Sequence, residues 1–522
     1  MPPTPTPEEF LHVASDYQLG SLVTESPHPS TRELSEWANH DLPKAVRALQ
    51  EVDLSALDQL ESARETWWAL TQAIRSTVED GGRIFLCGCG ATGRLSLSLE
   101  VFARKGMFGR GQINEESILG FMAGGDAALI RSIEQFEDRP DYGARQLREL
   151  GFRENDLLLA STEGGETPFV IGATEEALRH SKRPPQFLFC NPSSLLRAKV
   201  PRSRAILDHP EIDARELLVG PMALTGSTRM QASTILTAVL GMSLALPASS
   251  MDLMNRFSRW KNWLAHAFEP LVDPLCEFVE RESSIYDSHD YVCYEPGPYG
   301  MTVLTDTTER SPTFSLVPFE RSETKDPPSL CSLHLPGTEH PDQAWSHLLG
   351  RPPRCLDWGP LSHLTDPTAV NRFDFSDRGR APRSRRCLPG REHPFRLARH
   401  ASNIALSLGT SRLLIPIPST MGVFEENLTM KVILNTHSTL VMGRQKRYEG
   451  NVMTHVAANN YKLIDRAARY AHLLLQRQSK DVPYEVIVRR LLALQPTLGP
   501  DEAIVQKTVA FFEQGDAPPS PS

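Results

Sequence analysis

Short, unbroken apolar runs punctuate the chain. Arg83-Ile84-Phe85-Leu86-Cys87, Asp156 to Ala160 (DLLLA) and Phe187 to Cys190 (FLFC) are the clearest, and Ala205-Ile206-Leu207 is a fourth candidate. Helical patterns lie between them, the first over Leu60 to Val78. Strands apolar on both faces that alternate with helices predict a parallel sheet covered on each side, the doubly wound α/β arrangement. After a helix-rich stretch at 251–282 the rhythm restarts at Tyr291 to Tyr294, and continues at Ser332 to Leu335 and Arg412 to Ile417. Leu428 to Gln478 reads as almost wholly helical. Near the start, Pro27 and Pro29 interrupt the pattern, and helical spacing begins around Thr31.

Composition narrows the class. The 522 residues make about 3.5 typical domain units. With 55 basic and 64 acidic residues the net charge is −9, the wrong balance for a general nucleic-acid binder. No apolar run approaches a membrane span, and the opening MPPTPTPEEF is not built as a targeting peptide, so a cytoplasmic address is expected. Eight cysteines form no CxxC pair, and sixteen histidines form no HExxH. Neither a metal nor a cofactor is expected. Residues 376–394 hold many arginines among Pro and Gly; they read as a solvated loop or an anion-contacting one.

The candidate chemistry begins after the first strand. Gly88-Cys89-Gly90-Ala91-Thr92-Gly93-Arg94 opens a helix, where bare backbone amides and the helix dipole favour an anion. It is not a P-loop, because no GK[ST] follows. GxGxxG matches literally, but no acidic ribose contact ends the next strand, as a dinucleotide would require. A second hydroxyl- and glycine-rich loop, Ser161-Thr162-Glu163-Gly164-Gly165-Glu166-Thr167-Pro168, follows the second apolar run. Two such loops side by side suit a phosphate monoester on a small polar body such as a sugar.

With Gly220-Pro221 and Thr225 to Met230 added, these residues resemble the SIS (sugar isomerase) family, in the branch of N-acetylmuramic acid 6-phosphate etherase and the glucokinase regulatory protein. Thr24-Glu25-Ser26 with Pro29 resembles that branch's N-terminal motif. Ala123-Gly124-Gly125-Asp126 with Glu134 to Asp138 (EQFED) is similar to the segment carrying one catalytic glutamate. The resemblance implies a phosphosugar held by Gly90, Ala91, Thr92, Gly93 and Arg94 with Ser161, Thr162 and Glu134. It also implies that Glu137 is the base. Thr92 stands at the family's phosphate-loop serine, Ala91 at its threonine, and Gln231 where lysine is usual. The second catalytic glutamate would fall at Phe102; Glu100 is two residues away and faces elsewhere on the helix.

An internal repeat supplies the missing carboxyl. Cys293 to Phe314 (CYEPGPYGMTVLTDTTERSPTF) lies without gaps on the family's strand, phosphate loop and glutamate motif. Gly297, Gly300, Asp306, Glu309, Pro312 and Thr313 match; Pro298, Tyr299 and Met301 replace the phosphate-binding residues. Lys431 to Leu434, Asn435 and Ser438-Thr439 resemble the family's K-x-x-L-N-x-x-S-T helix. Gly450 to Met453 and Asn460-x-Lys462-Leu463 resemble the elements after it.

The expected organisation is therefore an arm at 1–58, SIS units at 59–262 and 263–447, a helical segment at 448–514 and a disordered tail at 515–522. The two units would form an internal pseudodimer in a monomeric chain. The site would be composite, with Glu137 as base, Glu309 as acid, and Lys431 reaching the same phosphorylated sugar or amino sugar. Glu309 could instead merely pair with Arg310 or with an arginine of 376–394. Three functions stay open: an etherase-like lyase, a non-catalytic sensor with a sugar kinase as partner, and a sugar-phosphate isomerase.

Overall fold

A computed structural model describes residues 5–14, 19–109, 114–458, 460–499 and 502–514, apart from the Glu134 side chain. The expected disordered tail at 515–522 lies outside them.

Two five-stranded sheets order the chain. In the first, β1 (Ile84–Gly88), β2 (Ile118–Met122), β3 (Leu157–Ser161), β4 (Gln186–Phe189) and β5 (Asp213–Glu216) run parallel in the order β2-β1-β3-β4-β5. Every residue of β1, β3 and β4 is buried. This is why their sequences read as continuous apolar runs.

The second sheet contains β6 (Tyr291–Glu295), β7 (Cys331–Leu333), β8 (Glu392–Arg399), β9 (Asn403–Leu408) and β10 (Ser411–Pro416). It runs β10-β9-β8-β6-β7, the same order read from the other edge. Here β7, β6 and β8 are parallel, while β9 and β10 turn back as antiparallel neighbours. The doubly wound α/β expectation holds, with this antiparallel edge added to the second sheet. Both sheets begin alike: a central first strand runs into a glycine turn and a 15-residue helix, Gly90–Arg104 or Gly300–Phe314. Those two helices pack on each other, and Gln231–Leu244 and Val423–Arg444 pack beside them.

Several local expectations change. Ala205 to Leu207 is the end of a helix, Pro201–Leu207, which starts at a proline whose fixed φ suits a first helical position. The arginine-rich stretch at 376–394 is not a loop over an anion. It folds as helix Asp377–Arg386, whose Arg383 is held between Glu320 and Glu392 and whose Arg380 reaches Glu295. The helical reading of 428–478 is interrupted by a short hairpin of Tyr448–Glu449 and Val452–Met453. No helix among the described residues is long and apolar enough to cross a membrane.

Segment 351–358 crosses from the second half to the first. Arg351 pairs with Asp126 at 2.6 Å and with Glu100 at 3.0 Å, and all three side chains are at least nine-tenths buried. Arg354 closes on Glu100 at 2.6 Å. Trp358 stacks on Phe136 at 5.5 Å and donates its indole N–H to Glu149. Glu100, a residue of helix Gly90–Arg104, thus faces this seam.

Candidate functional site

A cleft of about 230 Å3 lies at the carboxyl ends of β1 and β3, where an open α/β sheet offers a ligand crevice. Its floor is Cys89, Gly90 and Ala91 at the start of helix Gly90–Arg104, with Arg94 one turn in. Gly90 adopts φ +55°. A Cβ on Gly88 would stand 2.3 Å from the backbone of Thr92, so only glycine lets the turn fold this tightly onto the helix. Gly88→Ala is expected to destabilise the protein by at least about 1–3 kcal/mol, read as a lower urea midpoint.

The walls come from distant parts of the chain. Glu137 arrives from the turn before helix Pro140–Glu149, and Glu163 and Glu166 from the loop after β3. Thr24 and Glu25 come from the N-terminal turn, Ser227 to Arg229 from the loop before Gln231–Leu244, and Lys462 and Arg466 from Tyr461–Arg477. Glu309 enters from helix Gly300–Phe314. The cleft lining therefore includes carboxyls from both halves of the chain. Glu309 is not spent on Arg310. That guanidinium turns the other way, to Glu282 and Asp306 at 2.8 Å each and to the Tyr294 hydroxyl at 2.9 Å.

Other expected contacts are absent. The Thr92 hydroxyl accepts from Cys89 N at 3.0 Å and donates to Cys89 O at 2.9 Å. It caps its own helix, and the cleft lining does not include it. Gly93 is pressed against Met122, where a Cβ would stand 2.5 Å from the Met122 Cβ. Thr162 pairs with the Thr167 hydroxyl at 3.0 Å, and Ser161 is wholly buried; neither lines the cleft, though Thr167 does. Glu134 lies in a 3-10 turn, and its side chain is outside the described residues. Lys431 is absent from the cleft as well. It lies in an adjoining chamber of about 30 Å3 that shares Ala91, Arg94 and Glu309 with the cleft. Its ammonium donates to Arg229 O, Thr234 Oγ1 and Asn435 Oδ1 within 3.0 Å.

Burial and charge set the protonation states. Burial pushes the Glu309 carboxyl above the usual range, with Arg94 and Lys431 pulling the other way. Burial also lowers the Lys431 ammonium to about 8, against the nearby Glu309. Burial raises Glu163 to about 8, and Glu309 and Glu137 add to this. Glu166 goes the opposite way: burial disfavours its charge, but Lys462 and Arg202 outweigh it and hold it at about 2. Lys462 bridges Glu137 at 2.8 Å and Glu166 at 3.2 Å. Glu25 is buried against Arg466 at 2.5 Å and Arg469 at 3.3 Å. Among the described residues no cluster of His, Cys, Asp or Glu is arranged to hold a metal.

Glu25, Glu163, Glu166, Arg229, Lys462 and Arg466 were not singled out as site residues by sequence. Glu25, Arg229 and Lys462 do fall inside matched motifs, but no periodicity reveals that Glu25 meets Arg466 across 441 positions. Asn191, just after β4, fixes the Thr24 turn through two hydrogen bonds of 3.1 and 3.0 Å.

A parallel sheet ending in a glycine loop, with hydroxyls and paired carboxyls around one crevice, defines an α/β protein of the SIS type. Residues 68–178 match the family described as the glucokinase regulatory protein N-terminal SIS domain. The chain is 35% identical over 224 residues to an N-acetylmuramic acid 6-phosphate etherase of Enterobacter sp. (strain 638), a match covering 43% of this chain and 69% of that protein. It is 31% identical over 271 residues to one of Salmonella agona (strain SL483), covering 51% of this chain and 83% of that protein. The C-terminal domain of glucosamine-fructose-6-phosphate aminotransferase from Francisella tularensis aligns over 79% of this chain and 96% of that one, with 11% identity and a TM-score of 0.36. The chain belongs to the SIS-domain family of the N-acetylmuramic acid 6-phosphate etherases and the glucokinase regulatory protein.

Proposed function

We propose that the cleft binds a phosphorylated amino sugar of the N-acetylmuramic acid 6-phosphate type and cleaves its lactyl ether. The observation that supports this reading is that Glu137 and Glu309, from the two halves, line one cleft together with the glycine loop. The phosphate sits on the amides of Gly90 and Ala91, at the positive end of Gly90–Arg104. With Thr92 and Thr162 engaged elsewhere, the Ser227 hydroxyl, buried without a hydrogen-bond partner among the described residues, is the side-chain donor in place of theirs. The sugar ring opens to the aldehyde, which acidifies C2–H. Glu137 takes that proton, and the electron pair forms the C2–C3 double bond as the C3–O bond breaks. The electrons of that bond leave on the lactate oxygen, which receives its proton from Glu309. Water then adds at C3, giving N-acetylglucosamine 6-phosphate. The environments of the two carboxyls differ as an acid and a base require: Glu137 is bonded to a lysine, whereas burial favours the proton on Glu309.

The test is lactate release from N-acetylmuramic acid 6-phosphate by the purified protein. Release above the uncatalysed rate is expected; none at millimolar substrate overturns the etherase reading. A second reading, a sugar-phosphate sensor without chemistry that acts on a sugar kinase, is favoured by the match of residues 68–178 to the regulatory-protein family. It predicts binding of the sugar phosphate without lactate.

A further inference from the structure

Glu163 is a further carboxyl of the cleft, unused in the chemistry above. It opens the loop after β3 and is only 8% exposed, yet it forms part of the cleft wall. Its Oε1 is buried without a hydrogen-bond partner among the described residues. An ionised carboxylate in that position would lack a donor for the buried oxygen, an expensive arrangement.

The groups facing it come from four elements: Glu309 on Gly300–Phe314, Glu137 before Pro140–Glu149, Lys462 on Tyr461–Arg477, and the Cys190 thiol at the end of β4. Lys462, the one cation among these, is already bonded to Glu137 and to Glu166 of the same loop. Burial, with Glu309 and Glu137 adding to it, raises Glu163 to about 8, so the carboxyl keeps its proton at neutral pH. A neutral carboxyl in a cleft is a donor aimed at an oxygen, as a neutral amide would be.

We propose that Glu163 determines specificity as a hydrogen-bond donor: its neutral carboxyl donates to the carbonyl oxygen of the open-chain phosphosugar. No proton is transferred; the hydrogen bond draws electron density from the carbonyl and so assists loss of the neighbouring C2 proton to Glu137. The inference rests on the phosphosugar reading, but it needs no turnover to be tested.

Calorimetric titration with N-acetylglucosamine 6-phosphate between pH 7 and 9.5 tests it. The ligand's own second ionisation, near about 6, lies below that window. Wild-type affinity is expected to hold up to about pH 8 and then to fall about tenfold per pH unit, because binding requires the proton. Glu163→Gln keeps a donor and cannot titrate, so it should bind at pH 7 and lose this fall; Glu163→Ala should bind at least about tenfold more weakly than the wild type at pH 7, as expected for a lost polar contact, and also lose the fall. A fall that persists in Glu163→Gln belongs to Lys431, which titrates in the same range, and overturns the proposal.

Infrared difference spectra of the wild type avoid any dependence on the folding of a variant. A protonated-carboxyl band that shifts when the probe binds at pH 7 is expected, and an unshifted spectrum overturns the proposal. Wild-type binding with no pH dependence overturns this inference alone. No wild-type binding at any pH overturns the phosphosugar reading and this inference with it.

Discussion

Glu309→Gln is expected to lower lactate release from N-acetylmuramic acid 6-phosphate by about 10²–10⁴-fold, the range for loss of a positioned general acid. Glutamine has nearly the same shape and still donates a hydrogen bond. It cannot deliver a proton to the departing lactate oxygen. Calorimetric binding of N-acetylglucosamine 6-phosphate should therefore change little while turnover collapses. The neighbourhood suits such a clean separation, because Arg310 and Asp306 of the same helix are engaged with each other and do not rely on Glu309. An unchanged turnover number would remove Glu309 from the chemistry and turn attention to Glu163, the other cleft carboxyl that burial keeps protonated.

Arg310→Met is expected to cost about 3–5 kcal/mol of stability, because it breaks a buried ion pair while leaving its partners charged. Arg310 is 2% exposed, Glu282 is 0% and Asp306 is 2%. Burial disfavours charge on both carboxyls, but Arg310 outweighs it and holds both below the usual range. Asp306 keeps Arg229 at 3.2 Å, and Glu282 keeps the Tyr286 and Tyr294 hydroxyls. Those remaining contacts place the loss inside this range rather than beyond it. Chemical unfolding of wild type and variant at pH 7 measures the difference; a loss under 1 kcal/mol would mean that the site relaxes enough to hydrate the freed carboxyls. The same pairs weaken in acid. Stability supplied by depressed carboxyls is present above their unfolded value and falls as pH drops through the folded one.

What could be read from sequence follows from which faces are buried. Strands β1, β3 and β6 were recognisable because both of their faces lie under helices, which demands apolar residues in sequence. Strands β8 and β9 passed unnoticed, although β8 pairs directly with β6. In β9 alternate residues are buried, and β8 carries arginines at positions 396 and 399, so neither forms an unbroken apolar run. Strand β2 is as long as β1 but holds Gly120, whose Cβ would meet Ser96 O at 2.4 Å; the glycine that weakens the strand signal permits the helix to approach. Motifs fixed the identities of Glu137 and Glu309, both of which line the cleft. Hydroxyl roles were not legible, because identity alone does not say whether Thr92 faces a ligand or its own backbone. The motif match implied a role for Lys431 in the cleft, but three hydrogen bonds hold it in the chamber behind.

The seam from Arg351 to Trp358 also bears on concentration. In a site assembled from separate subunits, dilution would separate the two carboxyls proposed as acid and base, and activity would fall with protein concentration. Here Glu137 and Glu309 stand on one polypeptide, and the Asp126–Arg351–Glu100 cluster ties the halves together beside them. Their encounter is intramolecular, with an effective concentration that dilution cannot change. Specific activity should therefore be the same at nanomolar and micromolar protein, whatever larger assembly the chain enters.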